Sequence, residues 1–247
     1  MAILGIDIGG SGIKGAPVDT IEGTLLAERF RVETPQPATP EAVAQGVAEV
    51  ARHFHWEGSI GCGYPGVIKH GRTMSAANLD AGWIGLEAEQ MLTHVTGCRV
   101  TLINDADAAG LAEMRFGAGM NNPNPVMMFT IGTGIGAAMF VNGHLVPNLE
   151  LGHLEIRGKD AEDRASDRIR VEKDLSWKDW AERFNEYLAY IEKLFSPDLI
   201  ILGGGVSKRF DKFGGFLRTT AQIVPAKLLN DAGIIGAAMN AVEHETH

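Results

Sequence analysis

The stretches ILGIDIGGSGIKGAPVD (residues 3–19) and VMMFTIGTGIGAAMFVNG (residues 126–143) place one device in the chain twice: an apolar run, a glycine-rich turn and a second apolar run. Nothing else in the sequence restricts the fold as much. Short apolar runs bounded by glycine read as buried strands, so the repetition predicts two lobes built to one plan.

The segments around each turn extend that plan. In the first half, AILGIDI, IKGAPVD and TLLAERFRV read as a three-stranded antiparallel meander. The loop TPQPATP leads into a helix with Thr39 as N-cap and Pro40 at its first position. A strand SIGCGYPGVI with a tight turn at Pro65-Gly66, a helical LEAEQMLTHVTG, a strand RVTLIN and a helix DADAAGLAEMRFG follow. The second half repeats strand, glycine turn, strand, Asn-Gly turn and strand. An irregular charged stretch (157–174), the helix SWKDWAERFNEYLAYIEKLF, the strand DLIILGGG and the helix GIIGAAMNAVE complete it. We read a small N-terminal α/β lobe of residues 1–117 plus 234–247 and a larger C-terminal α/β lobe of residues 118–233. The two turns are expected to face each other across a cleft.

Composition narrows the function. The 247 residues are 45% hydrophobic and 21% charged, which suits packed domains rather than a disordered chain. A formal net charge of −9 argues against a nucleic-acid or membrane surface, so an anionic ligand must be met by local donors. The two cysteines, Cys62 and Cys98, have no metal-ligand spacing and read as reduced thiols. No basic leader and no long apolar stretch is present, and a cytoplasmic location is expected.

Backbone N–H groups exposed in a glycine turn form an anion-binding concavity. Neither turn ends in Gly-Lys-Ser/Thr, so neither is a Walker A loop. GTGIGA (132–137) matches the dinucleotide fingerprint in letters, but a strand follows it instead of the required helix. The candidates for a phosphate donor are therefore Asp7, Gly9, Gly10, Ser11 and Lys14 at the first turn and Gly132, Thr133, Gly134 and Gly136 at the second. Asp7 either caps its turn or positions a Mg2+–water cluster against phosphates. Lys14 lies where strand alternation could turn it to solvent.

In order along the chain, GIDIGGSGIKG, YPGVI, IND (103–105), TIGTGIGAA, ELGH (150–153) and LGGGVS (202–207) resemble the ROK group of sugar kinases. The resemblance covers nearly the whole chain. It implies the duplicated actin-like ATPase fold (ribonuclease H-like, hexokinase-type), two α/β lobes around a cleft. Within the group the chain is similar to the polyphosphate-using glucokinases and glucomannokinase, through ELGHLEIRGKDAED and KLLNDAGIIGAA. Many ROK proteins carry a cysteine-rich zinc loop after the GH motif; GHLEIRGKDAEDRAS has no cysteine, so a structural zinc is not expected. The helix-turn-helix extension of ROK repressors is not seen ahead of the first phosphate strand.

A sugar hydroxyl must lose its proton as the phosphoryl group arrives, so a carboxylate base is needed. Asp105, after VTLIN and at the start of a helix, is the candidate, with an N-cap as its competing role. Asp107, about 200° around that helix, should face elsewhere. The resemblance implies sugar binding by Asn104, Glu150 and His153, with Gly66 and Asn78 shaping the pocket. It aligns Glu162 with a further sugar-binding glutamate, and Glu155 competes for that role. Gly204, Gly205 and Lys208, with Arg209, follow a strand where the family holds the donor. Lys159, Arg164, Arg168 and Arg170 read as solvated surface, and Trp177 and Trp180 as packing or dimer contacts.

The expected activity is Mg2+-dependent transfer of a phosphoryl group to the 6-hydroxyl of glucose. Polyphosphate is the preferred donor, ATP a possible second, mannose a possible second acceptor, and a homodimer the family's usual assembly. A strictly ATP-dependent glucokinase or mannokinase and a non-catalytic sugar sensor are the rival readings. Gly134→Val is expected to block donor use by crowding the second turn.

Overall fold

The structure, a computed structural model, describes residues 1–77 and 79–245. It divides into two compact units, Met1–Ala112 with Asp231–His247, and Glu113–Asn230.

The first unit opens with β1 (Ala2–Gly9) and β2 (Gly12–Asp19), paired antiparallel from Ala2↔Asp19 to Gly9↔Gly12, so Gly10 and Ser11 form a two-residue hairpin loop. The expected third strand is instead broken into β3 (Thr24–Leu25) and β4 (Phe30–Val32), both paired with β2. Leu26, Ala27 and Glu28 between them are exposed, and no core holds them in line. Helix α1 (Pro40–His53) begins as its sequence dictates: the Thr39 hydroxyl accepts from the Ala42 N–H, and Pro40 occupies the first turn. Then follow β5 (Ile60–Tyr64), a small hairpin of β6 (Ile68–Lys69) and β7 (Arg72–Thr73), α2 (Ala88–Thr96), β8 (Val100–Asn104) and α3 (Asp105–Phe116). The sheet order is β3-β2-β1-β5-β8, with β1, β5 and β8 parallel. Ile6, Ile8, Ile13, Val47, Tyr64 and Trp83 are fully buried in its core.

The second unit follows the same order. β9 (Val126–Ile131), β10 (Ile135–Val141) and β11 (His144–Leu149) form an antiparallel meander. Its Asn-Gly turn has positive φ at both Asn142 and Gly143, as a two-residue hairpin requires. The stretch 157–174 is not irregular. A hairpin of β12 (Glu155–Ile156) and β13 (Lys159–Asp160) is followed by the short helices α4 (Glu162–Ala165) and α5 (Asp167–Glu172). Their arginines are paired rather than merely solvated: Arg164 with Glu186, Arg170 with Asp167, and Arg168 with Asp163 and Glu172. Helix α6 (Trp177–Phe195), β14 (Leu199–Gly204), α7 (Phe210–Phe213) and β15 (Gln222–Pro225) complete the unit. The sheet order is β11-β10-β9-β14-β15, with β9, β14 and β15 parallel. Trp180 is fully buried, stacks on Phe184 and donates to the Ala165 carbonyl at 2.9 Å. It is a packing residue, as is Trp177, which stacks on Phe213 beneath the Arg170 guanidinium.

Helix α8 (Ala232–Glu245) returns to the first unit and packs on β1 and β5. The contact is backbone to backbone, because a Cβ on Gly5 would strike the Ile234 carbonyl and one on Gly61 the Ala237 carbonyl. Among the described residues no helix is long and apolar enough to cross a membrane. Cys62 and Cys98 are buried free thiols.

Candidate active site

Each unit ends its first strand in one of the glycine turns, but the two turns differ in build. In the first unit Gly9 and Gly12 pair, and the Gly9 carbonyl accepts from the Thr34 hydroxyl at 2.5 Å. In the second, Ile131 pairs with Ile135, leaving the three residues Gly132–Gly134 as the loop. This loop closes on itself through Gly132 N–H to the Gly134 carbonyl at 3.0 Å. Gly136 lies outside it, within β10 opposite Thr130.

Asp7, Lys14 and Arg31 stand directly opposite one another across β1, β2 and β4 and so share one face of the sheet. Lys14 faces Asp7, its Nζ 4.0 Å from Oδ2, rather than turning away to solvent. Burial raises the Asp7 carboxyl above the usual carboxylate range, and Lys14 opposes that shift. Among the described residues no group of three or more acidic, histidine or cysteine side chains gathers to hold a metal. A single carboxylate is the kind of protein ligand that Mg2+ takes when most of its coordination is water and phosphate. The Lys14–Arg31 juxtaposition puts like charges opposite each other, an arrangement that disfavours strand pairing.

The base candidate sits at the junction of β8 and α3. Here the sequence left Asp105 two roles, and the structure gives the cap to its neighbour. The Asn104 Oδ1 accepts from the N–H groups of Ala106 (2.9 Å) and Asp107 (3.1 Å), while its Nδ2 donates to the Gly66 carbonyl at 3.2 Å. Asn104 is only 5% exposed and thereby locks the turn at Gly66 to the start of α3. Asp105 is half-buried, and its Oδ1 accepts from the Ala106 N–H at 2.8 Å. Asp107 is buried, on a different side of the helix. Gly66 is confined beneath Ser75, whose hydroxyl accepts from the Val67 N–H and whose carbonyl accepts from the Tyr64 hydroxyl. Asn78 lies outside the described residues.

In the second unit Glu150, His153 and Glu162 form one electrostatic cluster. Glu162 Oε2 accepts from the Ile135 N–H at 3.1 Å, and Cβ atoms built on Gly134 and Gly152 would lie 2.5 and 3.1 Å from it. The glycine turn and the ELGH motif thus close around the Glu162 carboxylate. Glu155, the competing glutamate, is instead exposed on β12, paired with Asp160. Burial raises the Glu150 carboxyl; the nearby His153 opposes this and Glu162 reinforces it.

His153 Nδ1 lies 2.7 Å from Asp160 Oδ2, and its Nε2 lies 3.7 Å from Glu150 Oε2. The Asp160 hydrogen bond raises the imidazole above 6.5, with Glu162 and Glu150 adding to it and partial burial opposing. Asp160 had no assigned part in the sequence; only the β12–β13 hairpin brings it back to His153. In the neutral ring a proton held on Nδ1 by Asp160 leaves Nε2 as an acceptor. A histidine with a raised folded pKa stabilises the fold fully below its unfolded value, and that contribution fades as pH rises through the folded pKa. In an NMR titration His153 is therefore expected to turn over above 6.5, and Asp160→Asn to bring its midpoint down. A midpoint unmoved by that substitution would rule out Asp160 as the cause.

The donor-side glycines of this unit also come together. Gly204 pairs with Ile131 at the C-terminal ends of the parallel strands β14 and β9, setting Gly204–Gly205 beside the Gly132–Gly134 loop. Gly204 has φ of 74°, and a Cβ there would strike the Ile131 backbone. The Ser207 hydroxyl closes this turn on the Gly204 carbonyl at 2.8 Å, and Lys208 and Arg209 follow, exposed. Arg168, which the sequence reads as solvated surface, donates its main-chain N–H and Nε to the carbonyls of Gly132 and Thr133.

Comparison with known proteins places this geometry in context. The ROK family model matches residues 3–164. The chain is 50% identical over 244 residues to a polyphosphate glucokinase of Mycobacterium tuberculosis, covering 98% of this chain and 92% of that protein. A polyphosphate glucokinase of Mycobacterium leprae is 47% identical, over 98% of this chain and 75% of that one. Among solved structures, an inorganic polyphosphate/ATP-glucomannokinase from Arthrobacter sp. strain KM superposes with a TM-score of 0.95 at 49% identity, covering 98% of this chain and 99% of that chain. A ROK glucokinase from Streptomyces griseus, in complex with glucose and AMPPNP, gives 0.82 at 25% identity, covering 98% and 100%. With the actin-like, hexokinase-type duplication visible in both sheets, this chain belongs to the ROK family.

Proposed function

We propose that the chain transfers the terminal phosphoryl group of inorganic polyphosphate to the 6-hydroxyl of glucose, giving glucose 6-phosphate, with ATP as a second donor. The likeness to polyphosphate glucokinases at 50% identity across 98% of the chain carries this reading. The ATP arm has its support in the Arthrobacter enzyme, which is named for both donors.

In this reading Asp105 accepts the hydroxyl proton as the oxygen attacks. A carboxylate with an unperturbed pKa of about 3.9 does not ionise the alcohol beforehand, so proton transfer is late and orientation supplies much of the acceleration. Asn104 fixes the junction that presents Asp105. Glu150, His153 and Glu162 bind ring hydroxyls, with Asp160 setting which His153 nitrogen accepts. The glycine turns, Ser11, Lys14 and Lys208 receive the donor's phosphates through N–H, hydroxyl and ammonium groups. Mg2+ would be held at Asp7 through water and would neutralise charge on the phosphates.

The test is the initial rate of glucose 6-phosphate formation with Mg2+ and either polyphosphate or ATP as sole donor. Faster turnover with polyphosphate is expected. Turnover with ATP alone would remove the donor assignment and leave an ATP-dependent hexokinase, and glucose binding without turnover on either donor would indicate a sensor.

A further inference from the structure

Arg31 was not among the donor candidates, yet it lies over the first glycine turn. Its Nη2 donates to the Ser11 carbonyl at 2.7 Å. Its Nε would be 2.5 Å from a Cβ on Gly12, so the absence of a side chain there is what lets the guanidinium lie across the turn. Arg31 is exposed, and among the described residues it has no acidic partner. On the same face it stands directly opposite Lys14, which in turn stands opposite Asp7.

This differs from the arginine at the second turn. Arg168 also donates to a turn carbonyl, that of Thr133, but Asp163 and Glu172 neutralise its guanidinium at 2.9 and 3.5 Å. Arg168 is a brace. At the first turn Lys14 alone faces Asp7, Arg31 stands opposite Lys14 without an acidic partner among the described residues, and like charges placed opposite each other across strands oppose pairing. An anion over the turn would remove that repulsion, and the planar guanidinium fork suits phosphate oxygens.

We propose that Arg31 is a donor-binding residue which, with Lys14, holds a phosphate of the polyphosphate chain at the first turn. The inference rests on the polyphosphate reading of the same site. Its ligand is an inorganic phosphate chain; recognition needs charge and oxygen geometry and no base or ribose.

Two measurements on Arg31→Gln and Arg31→Lys test it. The first is steady-state kinetics with polyphosphate, reading the KM for donor and for glucose at increasing KCl. Losing a charge-assisted hydrogen bond should raise the polyphosphate KM about tenfold or more in Arg31→Gln. The glucose KM should change little, the salt dependence should weaken, and Arg31→Lys should fall between. The second is calorimetric titration of the glucose-free protein with tripolyphosphate, which reads the site whether or not turnover occurs. Wild type should bind more tightly than Arg31→Gln, with the melting temperature of the two within about 2 °C. Equal tripolyphosphate affinity in the two folded proteins would overturn the proposal. So would an equal loss of donor KM, glucose KM and melting temperature, which would make Arg31 a brace like Arg168. If wild type bound tripolyphosphate through Arg31 but used only ATP, the donor assignment would fall and the anion site would stand.

Discussion

Replacing Asp105 with asparagine is expected to lower kcat for glucose phosphorylation by about 10²- to 10⁴-fold, the range that a positioned general base contributes. The substitution keeps size and an acceptor oxygen toward the Ala106 N–H, and removes the capacity to take a proton. Because Asn104, and not Asp105, caps α3, the helix should survive the change. Glucose binding should stay within a few-fold of wild type, and the melting temperature should move little. Titration of glucose by calorimetry beside single-turnover kinetics separates the two effects. Turnover near the wild-type rate in Asp105→Asn would eliminate it as the base. A parallel loss of binding, turnover and melting temperature would reassign it to holding the junction. Asn104→Ala should behave differently, because it uncaps the helix and releases Gly66 together, so stability should fall with activity.

Gly134→Val is expected to cost about 10²-fold or more in kcat/KM for glucose, for a reason beyond the crowding of the donor turn. The motif alone made Gly134 a donor residue that valine would crowd. Its missing Cβ instead points to the Glu162 carboxylate, 2.5 Å away. Valine would push that carboxylate off the Ile135 N–H and against Gly152, where little room exists. Displacements of about 1 Å in a positioning group can cost about 10²-fold, and the loss should appear in the glucose KM before the polyphosphate KM. Gly132 supplies the control. A Cβ there meets nothing within 4 Å, so Gly132→Ala leaves the protein's own packing alone and should act on donor kinetics. Should Gly134→Val raise only the donor KM, Glu162 would lose its place in the sugar site.

Part of this architecture is legible in the sequence. The strands, both glycine turns, the Thr39 cap and the junction carrying Asp105 were legible because local patterns specify them: alternation, glycine, and a cap residue before a helix. What escaped depends on register between distant segments. Arg31 reaches the first turn only because β4 pairs with β2 at Lys14, and nothing in the pattern of TLLAERFRV marks the break before it. The charged stretch 157–174 looked irregular because its short helices are held by partners far along the chain, such as Glu186 for Arg164. The different surroundings of Glu155 and Glu162 arise from the β12–β13 hairpin, whose Arg157-Gly158 turn has positive φ at both residues. Asn104 and Asp105 are adjacent and chemically alike, and only their hydrogen bonds show which one caps the helix.

Helix α8 has a consequence for how the chain is made. Its backbone lies directly on β1 and β5 at Gly5 and Gly61, yet it is synthesised after every residue of the second unit, Glu113–Asn230. A ribosome therefore releases a complete second unit while the first still lacks the helix covering one face of its sheet. Domains tend to fold as soon as their residues emerge, so the contiguous unit can mature first. Meanwhile the apolar strands β1 and β5 wait, exposed, for the helix that closes them. Chaperone contact during translation should be longest at the segment made earliest, an inversion of the usual vectorial order.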